Sequence, residues 1–494
     1  MTGRPTTLGA LRAAGWRSRT VKQEIRDNLL ARLGRGDALF PGVVGYERTV
    51  IPGIVNALLA HHDFILLGLR GQAKTRLLRA LVGPLDESIP ALAGTPLNDD
   101  PLRPASTSGV RLVEEAGDEA PIEWLPREAR YNEKLATPDV TIADLIGDVD
   151  PIKAATRRLT YADPEVIHFG IVPRTNRGIF AINELPDLAP RIQVGLLNIL
   201  EERDIQVRGF PLRIPLDILM VFSANPEDYT NRGTIITPLK DRISSQILTH
   251  YPTDIEHALE ITRQESWTQR GGPRVVVPRE VELLIEEVSM AARASELVDQ
   301  SSGVSARVAI AATELLQSNL ERRALRTGDD PVWPRLADFH MLLPAITGKV
   351  EMVYEGEQQG AEIVARSLLG TAVKKVFAAR FPKPPREGGE AEGSPYAPLL
   401  AWFADGGTVT LSDESRFADH LATLRRVPGL WPLAEPAGGG DEERAFAAEL
   451  ILEGLHQHAR LARQDVDSAI SYKEAVRLQV LRRPTRRESL DDAN

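Results

Sequence analysis

The 494-residue chain contains no cysteine. Disulfides and thiolate metal sites are therefore excluded, and cysteine usage says nothing about the redox compartment. Also lacking is any apolar run of membrane-spanning length. The N-terminal stretch MTGRPTTLGALRAAGWRSRTV is basic but has no continuous apolar segment, so no signal peptide is expected. The expectation is a cytoplasmic protein with no membrane association. A basic surplus is missing too. The formal charge is −10, which argues against a general nucleic-acid binder, and no direct nucleic-acid contact is expected. Hydrophobic residues at 43% and charged residues at 26% are ordinary for a globular protein. The length predicts two or three domains.

The stretch FILLGLRGQAKTRLLRALVG, residues 64–83, carries the strongest signal. Phe64 to Leu67 is an apolar run of strand length. Gly68 to Lys74 reads as a glycine-containing loop, and Thr75 onward reads as a helix through Leu77, Leu78 and Leu81. Strand, loop and helix in that order are the context of a phosphate-binding loop. The pattern G-x-x-x-x-G-K-[ST] is met by Gly68, Lys74 and Thr75, with Ala73 in place of the second glycine. Loop N–H groups would bind the β-phosphate, Lys74 would bridge the β- and γ-phosphates, and the Thr75 hydroxyl would bind Mg²⁺. Alanine at 73 disfavours positive φ, which puts nucleotide affinity in question.

Upstream, Val21, Ile25, Leu29, Leu30 and Leu33 predict an amphipathic helix ended by Gly34 and Gly36. A second helix is expected through Ile54, Leu58 and Leu59 to His61–His62. Adjacent histidines point to different sides of a helix, so they are not read as a metal pair. Residues 84–135 read as long, irregular, acidic and proline-rich. Gly178 to Ile182 is a buried-strand pattern with Asn183 and Glu184 at its C-terminal end, where ligands bind in open α/β sheets. Residues 192–203 read as an amphipathic helix. Residues 204–226 read as a hairpin turning at Arg208–Phe210, then a buried strand from Ile218 to Phe222 ending at Asn225. Residues 236–247 read as helical, with Lys240, Asp241 and Arg242 near the centre, followed by a strand-like ILTHYP. Residues 253–380 read as mostly helical, 381–398 as a Pro/Gly/Glu linker, and the C-terminal part as a helical extension with an amphipathic helix over 443–464. The tail LRRPTRRESLDDAN is expected to be disordered.

Taken together these residues resemble an AAA+ ATPase, of the group holding the magnesium-chelatase ATPase subunit and the MoxR-like ATPases. The resemblance covers about residues 35–350. GLRGQAKT resembles the Walker A loop, placing Gly68, Arg70, Gly71, Gln72, Ala73, Lys74, Thr75 and Arg76 around the nucleotide. FAINEL resembles Walker B. SANPEDYTNRG, with Asn225, looks like the sensor 1 strand. TPLKDRI looks like the segment whose arginine, here Arg242, reaches the neighbouring subunit's site. SSGVSARVAI looks like the sensor 2 helix, with Arg307 facing the γ-phosphate. FPGVVGYE, with Val44 and Gly45, is similar to the segment lining the adenine pocket. Residues 135–178 and 204–216 resemble two inserts of this group, which account for the 110 positions between Lys74 and Glu184.

The implied fold is an α/β core with a parallel sheet over 40–252, preceded by a helical leader over 1–39. A helical lid and following helices over 253–380, the linker, and a mostly helical extension over 399–494 come after it. The implied cofactors are ATP and Mg²⁺. Glu184 would activate water, Asn225 would position it, and Arg242 and Arg307 would stabilise the transferred phosphoryl group. Walker B here has Asn183 for aspartate. Asparagine keeps an acceptor oxygen for the Mg²⁺ site but loses the charge, so slow hydrolysis is expected. The resemblance implies a homo-oligomeric ring, a hexamer, that remodels a partner carrying a von Willebrand factor A domain. Two alternatives stay open: the motor subunit of a Mg²⁺ or Co²⁺ chelatase, and a scaffold that binds nucleotide without turnover.

Overall fold

Five parallel strands form the central sheet in a computed structural model of the chain. They are β1 (Phe64–Leu67), β2 (Tyr131–Leu135), β3 (Gly178–Asn183), β4 (Ile218–Ala224) and β5 (Ser245–Leu248), in the order β5-β1-β4-β3-β2. The register pairs Phe64 with Ser245 and Val221, Ile218 with Gly178, and Ile179 with Tyr131. The structure describes residues 4–475 apart from 151, 153–155, 157–165, 207–212, 227–232, 386–392, 413, 436–438, 467 and 468. The predicted hairpin turn Arg208–Phe210 and the C-terminal tail lie outside the described residues, as do residues 386–392 of the predicted linker and the middle of the sensor 1 segment.

The three inner strands are buried on both faces, which is why they read as unbroken apolar runs. Alternate side chains feed two cores. Phe64, Leu66, Ile179, Ala181, Leu219 and Val221 pack with Leu77 and Leu78 of the helix after the loop and with the helices Val21–Arg35 and Val50–Leu59. Ile65, Leu67, Phe180, Ile182, Met220 and Phe222 pack on the opposite face with Ile192, Ile199 and Leu239. Each fully buried Leu or Phe contributes about 1.5–3 kcal/mol, so the inner strands are fixed by packing. Their C-terminal ends are thereby held side by side.

Several expectations are corrected. The stretch read as irregular, 84–135, contains an antiparallel pair (Ser88–Leu92 with Ile122–Pro126), the helix Thr107–Ala116, and β2 itself. β2 is an edge strand of half-exposed polar residues, so it lacks the apolar signature. The helix predicted over 192–203 is two short ones, Pro190–Gly195 and Leu197–Glu201. The helix predicted over 236–247 ends at Arg242, and Ser245–Leu248 continues as β5, because pairing with β1 overrides a weak helical pattern. In the N-terminal helix Val21, Ile25 and Leu29 are buried, but Leu30 and Leu33 are exposed. It stops at Gly36, whose left-handed φ of 74° suits glycine.

The chain divides into two compact units, one of residues 1–261 with 300–306, the other of 262–299 with 307–494. The second unit is built on the helices Arg279–Ala294, Arg307–Thr327, Ala361–Arg380 and Asp441–Gln457. It also holds an antiparallel sheet that the sequence did not announce, with Ala469–Glu474 between Val409–Ser412 and Leu461–Val466. The last of these strands takes the place of the end of the helix predicted over 443–464. The α/β core with a parallel sheet and a largely helical remainder is the architecture expected. Among the described residues no helix is long and apolar enough to cross a membrane.

Candidate functional site

The loop between β1 and the helix Lys74–Ala80 is shaped by two close approaches. A Cβ at Gly68 would collide with Thr249 Oγ1 and Gln72 Oε1. A Cβ at Gly71 would collide with Ser305, and Gly71 has a φ of +72°. Neither position admits a side chain, which is the physical reason for both glycines. Ala73 caps the helix in the left-handed region, φ 55° and ψ 18°. The expectation that alanine would disfavour positive φ is therefore met by strain and not by a changed backbone. A non-glycine residue there costs about 1–2 kcal/mol, and the conformation the pattern assigns to glycine is kept.

The loop is braced from three sides by residues that sequence reasoning did not single out. Thr249, just past β5, donates to Gln72 Oε1 at 2.7 Å. Tyr46 Oη lies 2.9 Å from the Gln72 carbonyl oxygen and 2.7 Å from that of His250, and has one proton to donate. Burial pushes the Tyr46 phenol up to about 12, so it stays protonated as a donor. Tyr251 Oη donates to the Arg70 carbonyl at 2.8 Å. Val44 and Gly45 directly precede Tyr46, which ties their segment to the loop. Gly45 has a φ of +82° and its N–H donates to Glu47 Oε1. Lys74 is buried, and its Nζ donates to the carbonyl oxygens of Gly68 and Leu69. Thr75 is exposed in the first turn of the helix.

Asn183 and Glu184 stand at the end of β3, one strand beyond β4 from the loop. The Ser223 hydroxyl donates to Asn183 Oδ1 at 3.1 Å and accepts the Glu184 N–H at 3.3 Å. Glu184 has a left-handed backbone, φ 55° and ψ 50°, that turns its side chain out of the strand direction. Asn225 follows β4 and is buried. Among the described residues its Oδ1 has no hydrogen-bond partner.

One acid was missed. Glu133 on β2 is in register with Ala181 and lies on the same sheet face as Asn183. The Arg79 guanidinium beside it holds its carboxyl below the usual range, with smaller contributions from Tyr131 and the Asn183 amide. Arg79 is one helical turn past Thr75. Only the pairing of β2 with β3 brings Glu133 here, so no local sequence signal marks it.

Arg242 donates from Nε to Glu201 Oε2 at 2.7 Å and from Nη1 to the Pro238 carbonyl at 3.0 Å, so an acid distant in sequence holds it. Arg307 opens a helix of the second unit. Lys74, Asn183, Glu184 and Asn225 are thus brought to one edge of the sheet.

The chemistry of this edge suits a magnesium-bound nucleoside triphosphate. The loop closes on glycines, a buried lysine lies over it, and the buried Asn225 amide oxygen has no partner among the described residues. Hydroxyl, amide and carboxylate oxygens stand at the ends of the loop and of β3. Among the described residues no group of three or more histidine, aspartate or glutamate side chains could by itself hold a metal ion.

The chain matches no protein-family model and none of the curated proteins. It is similar to solved structures at low identity. NtrX from Brucella abortus matches at 16% identity over 65% of this chain, with a TM-score of 0.35. That match takes in 57% of the NtrX chain. A protein of Cytophaga hutchinsonii, provisionally described as an ATPase, matches at 17% identity over 73% of this chain and 97% of its own, with a TM-score of 0.28. The complex of BchI and BchD of magnesium chelatase matches at 19% identity over 65% of this chain and 98% of that one, with a TM-score of 0.34. Scores this low carry no weight for activity, ligands or partners.

Proposed function

We infer that this chain is an ATPase of the AAA+ type that works as a ring motor and remodels a partner protein. The observation that carries the reading is the convergence of Lys74, Asn183, Glu184 and Asn225 at the C-terminal ends of three adjacent strands, around a loop closed to side chains at Gly68 and Gly71. The order of the motifs along the chain supports it.

Loop N–H groups and Lys74 would bind the β- and γ-phosphates, and Thr75 and Asn183 would hold the cation. Bound Mg²⁺ would supply charge neutralisation for the phosphate oxygens. Glu184 takes the proton of the attacking water, and Asn225 orients that water. As the O–P bond forms on the γ-phosphorus, the bond to the bridging oxygen breaks, and ADP leaves. Arg242 of a neighbouring copy and Arg307 of the same copy stabilise the charge that develops. Arginine in trans is worth roughly 10³–10⁵ in turnover in other phosphoryl-transfer systems. The resemblance further points to a hexamer and to a partner with a von Willebrand factor A domain. A chelatase motor is the narrower form of the same reading.

A second reading, a nucleotide-dependent scaffold without turnover, is favoured by two observations. Arg242 is already engaged by Glu201, and Asn183 carries no charge. The experiment that separates the two is ATP turnover across a protein concentration series, with Arg242→Ala and Glu184→Gln subunits measured alone and mixed. The motor predicts rising specific activity and partial recovery on mixing, because a mixed interface can pair an intact Glu184 with an intact Arg242. Concentration-independent activity with no recovery rejects the shared site.

A further inference from the structure

The edge of the sheet away from the nucleotide loop carries a second site. A cavity of about 450 Å³ opens there. It lies at the N-terminal ends of the same strands, against His61 before β1, Arg177 before β3, and Asp217 and Ile218 at the start of β4. The seven residues of β4, at about 3.3 Å each, put roughly 20 Å between this cavity and Asn225.

Its walls are unequally charged. Arg19, Lys22, Arg103, Arg177 and Arg203 face Asp100 and Asp217. Asp63, behind the wall, pairs with Lys22 at 2.9 Å and with Arg203 at 2.6 Å, and Arg19 is held by Asp27 and Asp86. Arg103 and Arg177 have no acidic side chain paired with them among the described residues. Arg177 is 5% exposed, and among the described residues its guanidinium makes one hydrogen bond, from Nη1 to the Pro90 carbonyl. Two further donors are in place. Nε2 of His61 and Nη1 of Arg203 are buried with no hydrogen-bond partner among the described residues. Unpartnered buried donors cost about 1–3 kcal/mol each, so the fold retains them against a penalty.

Backbone strain points the same way. Seven non-glycine residues have positive φ among the described residues. Two are Ala73 and Glu184 of the nucleotide site. Three more, His61 (60°), Arg177 (61°) and Arg203 (57°), line this cavity. Residues held in such conformations cluster where a ligand is bound. Burial lowers the basicity of Lys22, His61 and Arg177, and the pull of Asp63 on Lys22, of Asp27 on His61 and of Asp100 and Asp217 on Arg177 does not restore it.

We propose that this cavity binds a small phosphorylated anion, gripped by Arg177, Arg203 and Arg103 with His61 as a further donor. Guanidinium forks match phosphate oxygens in pairs, and a multivalent anion offsets more than one uncompensated arginine. The volume lies in the range of small-ligand sites. The site is independent of ATP binding at Lys74.

The test uses the full chain carrying Lys74→Ala, so that the loop's cation is removed, and inorganic pyrophosphate as the probe at constant ionic strength. Calorimetry should give one site per chain, with a rise in Tm on binding. Arg103→Glu, a change at an exposed position, should weaken it at least tenfold, and Arg203→Gln should do so independently. Two results would overturn the proposal: no heat and no Tm shift up to about 10 mM probe, or affinity within twofold in both arginine variants.

Discussion

Arg242 and Glu201 form an ion pair on the rim of the first unit, Nε to Oε2 at 2.7 Å, with the two side chains 29% and 54% exposed. A pair this open contributes about 0–1 kcal/mol to stability. If Arg242 serves a neighbouring copy, Glu201 competes for it. Glu201→Gln should then raise ATP turnover at a fixed protein concentration, while Arg242→Ala lowers it by 10³ or more and leaves ATP affinity within a few-fold. Turnover indifferent to both changes would make the pair a surface contact and nothing more.

The acid on β2 gives a second prediction. Glu133 beside Asn183 returns to this face a negative charge that asparagine lacks. Glu133→Gln should raise the Mg²⁺ concentration needed for half-maximal ATP binding by about tenfold, ~1.4 kcal/mol. Asn183→Asp in that background should bring it back. Asn183→Asp alone is expected to raise turnover, by less than in the Glu133→Gln background because the two carboxylates then repel. A Mg²⁺ midpoint unmoved by Glu133→Gln would place the carboxylate outside the cation's reach.

Ala73→Gly tests the loop's backbone. Removing the methyl relieves left-handed strain of about 1–2 kcal/mol and adds freedom to the unfolded chain worth about 0.4–1 kcal/mol. The variant should be modestly more stable by denaturant midpoint, with ATP binding equal or tighter. A loss of stability would mean that Ala73 is not held at positive φ in solution.

Asp217 supplies a pH signature. Burial pushes its carboxyl up to about 6, against the pull of Val21 N–H, Arg177 and Arg130, with Glu24 adding to the rise. The folded chain therefore holds this proton more tightly than the unfolded chain, whose aspartate titrates near 3.9. Its contribution to stability is greatest below that value and is lost as pH rises through about 6. Asp217→Asn should flatten the stability profile between about pH 4 and 6. An unchanged profile would assign the proton elsewhere.

Legibility in the sequence followed burial. β1, β3 and β4 are enclosed on both faces, so their apolar runs and the polar residues ending them could be read directly. β2 and β5 are edge strands, and YNEKL and SQIL carry no such signature. Of the site, the loop and the strand-end residues Asn183, Glu184 and Asn225 were readable because each follows its strand without a gap. Tyr46, Thr249 and Tyr251 were not, because they reach the loop only through tertiary contact. Glu133 needed the strand register, and the Arg242–Glu201 pair needed the packing of two short helices. The cation-lined cavity joins residues from Ser18 to Ile218 that no spacing rule connects.

The central claim is that the loop after β1 binds ATP, and a titration with fluorescent ATP in saturating Mg²⁺ tests it most directly. Lys74 is the buried cation lying over that loop. The wild-type chain should bind one nucleotide per subunit, and Lys74→Ala should bind at least tenfold more weakly with its fold intact by circular dichroism. Equal affinity in the two chains, or no binding by the wild type, would contradict the account.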